Sequence, residues 1–305
     1  MSIHTRTIPL SRKLSLHILP ILSDNYCYFL INHHTNQYAM VDPSDSKKIH
    51  QYLNSNEGQS LFNQKSLSTI LTTHKHWDHA GGNLYFVKNW KEFSSLEKVQ
   101  VVGNGECEGV NQELKSDLES FTIFDDKTVV QAYHTPCHTN GHVCYLVRTS
   151  DEEGGNFDCL FCGDTFFVGG CGKFFEGTAQ QMFDNIVKLN KEIKDPERML
   201  LCCGHEYTLK NMQFIVDKIS DTETSRKYLN KYKNLMEESH GTVPSTWQDE
   251  KEYNPYFKAA LLESFETRRE FFDKMIKDGS ATEDDLKTWS SVKILQTVRD
   301  LKDKY

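Results

Sequence analysis

Six consecutive residues, His74-Lys75-His76-Trp77-Asp78-His79, carry four side chains able to ligate a metal. Imidazole nitrogens and carboxylate oxygens suit borderline divalent cations, and two such cations side by side are the equipment of a hydrolase: they acidify water and stabilise an oxyanion. The hexapeptide follows the β-rich run 67–73 and precedes Ala80-Gly81-Gly82, which predicts a loop at the carboxyl end of a strand. On a regular helix His74 and His76 would diverge, whereas a curled loop can aim these two at one ion and Asp78 and His79 at a second. The helical zinc signature H-E-x-x-H is absent from the chain. Chance clustering among 13 histidines accounts poorly for three His and one Asp packed into one strand-to-turn boundary.

Three further segments end a strand-like run on a ligand. Residues 128–133 lead into His134-Thr-Pro-Cys-His138-Thr-Asn-Gly-His142, residues 159–162 into Gly163-Asp164-Thr165, and residues 199–203 into Gly204-His205-Glu206. Strand ends are where sheet-based folds gather their sites.

The strings THKHWDH, PCHTNGH, FCGDT and GHEYT together resemble the metallo-β-lactamase superfamily, and GCGKFFEGT at 170–178, GHEYT at 204–208, TVPST and NPYF resemble its glyoxalase II branch, the hydroxyacylglutathione hydrolases. The resemblance runs from Leu16 to the carboxyl terminus. It implies that His74, His76 and His138 hold one metal, that Asp78, His79 and His205 hold another, and that Asp164 bridges them. Asp78 and Asp164 would serve catalysis together with a bridging hydroxide, and Asp42, ending the run 38–42, would steady the ligands from behind. His142 and His134 are assigned to structural hydrogen bonding. The two ions are expected to be divalent, zinc first, with iron or manganese also compatible with this donor set. The implied substrate is S-D-lactoylglutathione, cleaved to glutathione and D-lactate in methylglyoxal detoxification, with Lys173, Phe175, Tyr207, Arg299 and Lys302 contacting the tripeptide. Arg299 and Lys302 lie three apart on a predicted helix and so share a face; without the resemblance they read as a solvated basic tail. Where the family commonly has Tyr, this chain has Phe175, removing a hydroxyl worth ~1 kcal/mol. The extra segment 261–288 has no assigned role. Two rival readings are a mononuclear iron persulfide dioxygenase of the same superfamily and a non-enzymatic metal- or thiol-binding module.

The rest of the chain must position these residues. Its 305 residues suffice for one large or two ordinary domains, and at 38% apolar and 26% charged they have globular composition. Net charge of −8 speaks against nucleic acid as partner, and no apolar run is long enough to cross a membrane. Nine cysteines in no disulfide spacing read as reduced thiols, including Cys159-x-x-Cys162 inside a strand. A cytoplasmic location and a monomer are expected, although Arg6, Arg12 and Lys13 without an acid in residues 1–15 faintly suggest a transit peptide. Strands are expected at 16–22, 26–32, 38–42, 67–73, 99–103, 128–133, 142–148, 159–162 and 199–203. Helices are expected at 46–54, 82–93 and 178–193, the last opened by a capping box, Thr178-x-x-Gln181. Beyond Tyr207 helical periodicity takes over, at 209–219, 224–238, 256–277 and 282–302, with residues 241–255 an ordered loop. This element order reads as α/β (α+β) with an all-helical region at 208–305, and the resemblance implies that residues 1–207 form a four-layer αββα sandwich of metallo-β-lactamase type and that the helical domain at 208–305 binds substrate.

Overall fold

A computed structural model describes residues 4–126, 128–149 and 156–305. Two sheets dominate it. The first has seven strands in sequential order, Arg6–Pro9, Leu14–Ile21, Asn25–Asn32, Gln37–Val41, Ser66–Leu71, Gln100–Gly103 and Gln112–Glu113. The second has six, in the order Ser245–Thr246, Met199–Cys203, Asp158–Gly163, Val143–Val147, Thr128–His134 and Glu119–Ile123.

Side-chain alternation explains the layering. Along Asn25–Asn32, Tyr26, Tyr28 and Leu30 belong to the core between the sheets, while Cys27, Phe29 and Ile31 belong to a second core under the helices. A strand covered on both faces is apolar throughout, and here all eight residues are buried. Helices Ser46–Leu53, Asn56–Phe62 and Asn83–Lys88 supply the second core, and the amphipathic Ala179–Glu192 covers the other sheet with Met182, Ile186 and Leu189. Its capping box is present: Thr178 accepts from the Gln181 amide, and Gln181 reaches back to the Thr178 amide.

The helical carboxyl-terminal region follows Tyr207, with its buried residues in the same core as the second sheet. Three expected helices are broken, the stretch 82–93 ending at Lys88 and resuming only as the short turn Trp90–Glu92. The stretch 256–277 divides into Pro255–Leu261, Phe265–Phe271 and Asp273–Lys277, and 282–302 into Glu283–Thr288 and Ser291–Lys304. Ser264 and Ser290 cause breaks, since each hydroxyl accepts the backbone amide three residues on and starts a new helix. Periodicity over a long window misses such a break, because a serine is as compatible with a helix interior as with its cap. Residues 241–255, expected as a loop, are ordered but contribute the edge strand Ser245–Thr246 and the helix Trp247–Tyr253. Arg268 closes the extra segment at its base, donating to Leu262 O, Trp289 O and Ser291 Oγ. Within the stretch considered for targeting, residues 1–3 lie outside the described residues, whereas Arg6–Pro9 pairs with Leu14–Ile21.

The two sheets meet at one edge. Tyr26 N donates to Gly204 O at 2.9 Å and Glu206 N to Asp24 O at 2.8 Å, joining the turn before the third strand to the segment after Met199–Cys203. All the strand-end motifs open onto this edge.

Candidate metal centre

The hexapeptide leaves Ser66–Leu71 as an extended loop and then tightens into a single helical turn, Trp77–Ala80. His74 and His76 therefore lie on loop, Asp78 and His79 on the turn, and the two pairs face different points. His74 Nε2 is 3.0 Å from His76 Nδ1, which is 3.1 Å from His138 Nε2. Beside this trio, His79 Nε2 is 3.2 Å from His205 Nε2, and Asp78 Oδ2 is 3.4 Å from the latter. Asp164 stands between the trios, with Oδ1 3.3 Å from His79 Nε2 and Oδ2 3.4 Å from both His138 Nε2 and His205 Nε2. All seven residues named from the sequence as ligands thus converge.

These distances test whether a metal fits. Donors about 2.0 Å from a tetrahedral cation lie about 3.3 Å from each other, which matches the observed spacings. Several imidazole nitrogens face one another, and Asp164 Oδ1 is buried with no hydrogen-bond partner among the described residues. A buried acceptor in that state is costly unless a cation completes it. The centre is a metal-binding one, able to take divalent cations.

The remaining ring nitrogens are held from outside. His79 Nδ1 donates to Asp42 Oδ2 at 2.8 Å, and Asp42 also accepts from Thr73 N and Thr73 Oγ1. His205 Nδ1 donates to Asp24 Oδ1 at 2.9 Å, and His138 Nδ1 to Lys173 O at 3.0 Å. Each bond sets the tautomer that leaves Nε2 free to bind a cation. His142 is fully buried and stacked on His74; its Nε2 accepts from Asp164 N at 3.1 Å, so it steadies the ligand backbone. His134 lies half-buried at the end of Thr128–His134, away from the cluster. Gly163 can only be glycine here: its φ is +45°, and a Cβ would come within 2.4 Å of Thr73 Oγ1.

Burial pushes His74 and His142 well below the ordinary imidazole pKa. Burial acts the same way on His205, but Asp164, Asp24 and Asp78 outweigh it and raise the pKa to about 9. Burial opposes ionisation of Asp164, yet His79 and His205 hold its carboxyl well below the usual range. Asp164 is therefore charged and His74 neutral, as cation binding requires, whereas His205 must release a proton before it can ligate.

The residues expected to meet substrate divide into two groups. Phe175 is 61% exposed and sits over His138, ring centroids 5.2 Å apart, with Lys173 Nζ 5.8 Å above its ring. Tyr207 stacks on His205 at 4.8 Å. These three border the centre. Arg299 is only 8% exposed, donates to Cys171 O and pairs with Asp303, so it is no solvated tail. Lys302 turns instead to Lys210 O and the Phe214 ring.

Sequence reasoning overlooked Asp24, Asn25 and Glu250. Asn25 Nδ2 donates to Asp78 O and Oδ2, so the turn Leu22–Asn25 buttresses both His205 and Asp78. Its position at the same sheet end as the ligand loops was the available signal.

Comparisons with known proteins agree with this geometry. A family profile described as "Metallo-beta-lactamase superfamily" matches residues 22–205, and one described as "Hydroxyacylglutathione hydrolase C-terminus" matches residues 206–305. The chain is 36% identical over 244 residues to a protein of Arabidopsis thaliana named "Hydroxyacylglutathione hydrolase cytoplasmic", covering 79% of this chain and 86% of that one. It is 30% identical over 293 residues to the "Hydroxyacylglutathione hydrolase" of Dictyostelium discoideum, covering 94% and 99%. The crystal structure of a metallo-beta-lactamase from Staphylococcus aureus superposes with a TM-score of 0.54 at 20% identity, covering 88% of this chain and 68% of that one, a likeness of fold.

Proposed function

The chain belongs to the metallo-β-lactamase superfamily and, within it, to the hydroxyacylglutathione hydrolases, the glyoxalase II family, and from that premise we propose that it hydrolyses S-D-lactoylglutathione to glutathione and D-lactate. The observation that carries this reading is the convergence of His74, His76 and His138 beside Asp78, His79 and His205, with Asp164 between them. The first trio would hold one divalent cation, the second another, and Asp164 would touch both. Zinc is the first choice for so many imidazoles, with iron or manganese able to replace it. Bound there, the cations supply Lewis acidity, lowering the pKa of water and stabilising negative charge on the thioester carbonyl oxygen.

The chain's own side chains do the rest. Asp42, Asp24 and the Lys173 carbonyl orient the imidazoles before substrate arrives, so no reorganisation is needed during reaction. Asp78, a quarter exposed at its side chain, can take up a proton and pass it to solvent. Phe175, Tyr207 and the Lys173 ammonium form a mouth with two aromatic faces and one cation, suited to an anionic, amphipathic thiol carrier. Arg299 and Lys302 lie farther along, where the helical region at 208–305 would meet the tripeptide carboxylate. The seven candidate ligands come from one chain, so the centre needs no second copy to be complete, and no helix of the described residues is long and apolar enough to cross a membrane. We place the protein in the cytoplasm, the compartment in the Arabidopsis relative's name.

Metal-replete protein is expected to cleave lactoylglutathione without consuming oxygen. Oxygen uptake with glutathione persulfide and no thioester cleavage would instead establish the dioxygenase reading; inactivity toward both would leave only metal or thiol binding.

A further inference from the structure

Between Asp164 and Lys173 the chain makes a small hairpin, Phe166–Phe167 against Gly170–Cys171, which joins neither large sheet. A two-stranded hairpin of this size does not hold its own shape. Side chains from the helical region capture its backbone instead. Asn211 Nδ2 donates to Val168 O at 3.0 Å, Asn254 Nδ2 to Gly170 O at 3.0 Å, and Arg299 to Cys171 O at 3.1 Å.

Glu250 lies at the centre of this clamp. It is fully buried on the helix Trp247–Tyr253, with no basic side chain among the described residues bonded to it. Its carboxylate accepts from Gly169 N at 2.9 Å, Ser245 Oγ at 2.7 Å, Tyr253 OH at 2.6 Å and Asn254 Nδ2 at 2.8 Å. Four converging donors stabilise a buried carboxylate that would otherwise be very costly. One of the four is the hairpin itself, and another is the amide that grips the hairpin.

The far end of the hairpin touches the metal centre. Gly172 passes so close to Asp164 that a Cβ would come within 1.9 Å of the Asp164 carbonyl oxygen. The next carbonyl, Lys173 O, accepts from His138 Nδ1, and Phe175 follows over the His138 ring. A shift of the hairpin therefore moves Asp164, His138 and the substrate mouth together.

We infer that Glu250 is a positioning residue: through Gly169 and Asn254 it sets the hairpin that places Asp164 and His138 for metal and Lys173 and Phe175 for substrate. The helical region thereby governs metal affinity as well as substrate contact. The inference about substrate rests on the thioester hydrolase reading; the inference about metal does not. The Glu250→Gln variant keeps size but removes the charge and leaves one acceptor oxygen for the obligate donors Gly169 N and Asn254 Nδ2, while the Ser245 and Tyr253 hydroxyls must turn round to accept from its NH2 group. Folding is checked by circular dichroism, zinc affinity by chelator competition, and KM and kcat with lactoylglutathione, all well below the melting temperature. Zinc affinity is expected to fall about tenfold and KM to rise about fivefold, whereas Glu252→Gln, exposed on the same helix, should match the parent protein in both. A folded Glu250→Gln protein with parental zinc affinity and KM, merely melting lower, would overturn the inference. Should that variant fail to fold, Ser245→Ala removes one donor to Glu250 without touching the hairpin; a shift of about threefold in zinc affinity supports the clamp and parental affinity refutes it. If the parent protein leaves lactoylglutathione intact, the hydrolase reading falls while the zinc measurements still decide whether the clamp exists.

Discussion

Asp42→Asn separates the role of a buried carboxylate behind the metal ligands from that of the ligands themselves. Asp42 touches no neighbouring donor atom of the metal set except through His79, whose Nδ1 proton it accepts at 2.8 Å, and its side chain is 4% exposed. An asparagine can still accept from Thr73 N through its oxygen, which leaves its NH2 group pointing at the His79 Nδ1 proton. Two donors cannot face each other in a buried site, so His79 moves its proton to Nε2, the atom that should bind the cation. Loss of one hydrogen bond to a charged group costs ~1.5–3 kcal/mol, and at about 1.4 kcal/mol per decade the metal affinity falls roughly 10- to 100-fold. Zinc affinity by chelator competition measures this, with the melting temperature of the metal-free protein as the control for folding. Asp24→Asn provides the internal comparison, because Asp24 makes the same contact to His205 from a side chain 38% exposed. Solvent screens it, and its loss should cost a few-fold at most. If Asp42→Asn binds zinc within twofold of the parent, or if Asp24→Asn is the more damaging of the two, the reasoning is wrong.

Phe175→Tyr restores a hydroxyl at the mouth; a gain of ~1 kcal/mol would lower KM for lactoylglutathione about fivefold, and an unchanged KM would show that the ring alone matters. Removing metal with a chelator should abolish hydrolysis and lower the melting temperature, since cations held at 1,000 times their Kd stabilise the fold by ~4 kcal/mol; re-addition of zinc, manganese or ferrous iron then reads out which ions suffice. Lys302 has its pKa lowered by burial, and next by Arg299, to about 8, so if its charge meets a substrate carboxylate, KM should climb above pH 8 in the parent protein and stay flat in Lys302→Arg. Burial raises the Glu250 carboxyl from 4.5 to about 6 against its four donors. A raised acid pKa means that the folded state holds the proton more tightly, so stability present below pH 4.5 is lost as pH rises through 6, by ~2 kcal/mol. Glu250→Gln, which cannot titrate, should lack that component when unfolding free energies are compared across pH 4.5 to 6.5.

Much of the centre could be read without coordinates because ligand chemistry restricts residue type and because strand ends are marked by short runs of β-branched residues. His74, His76, Asp78, His79, Asp164 and His205 each stand at such a boundary. The helices of the carboxyl-terminal third were legible as periodic but not as divided, since Ser264 and Ser290 can cap or sit mid-helix with equal local plausibility. Glu250 was hidden among neighbouring acids, Asp249, held by Tyr228 and Lys231, and Glu252, which faces water. Nothing in its own sequence neighbourhood distinguishes a carboxylate with four buried donors from a solvated one.

Residue types and their spacing pointed, on their own, to a hydrolytic metal centre at strand ends and to a helical extension, while the layered frame followed from the family resemblance that those motifs carry. They specify which atoms are available and at which strand ends, because both follow from local chemistry and local periodicity. Only the tertiary structure decided which nitrogen of each histidine is free, since the partner that holds the other nitrogen comes from a distant turn: Asp24 for His205, Asp42 for His79 and the Lys173 carbonyl for His138. It alone decided, too, that the helical extension grips the loop between Asp164 and Lys173, a relation made by long-range side-chain capture of backbone that no periodicity records.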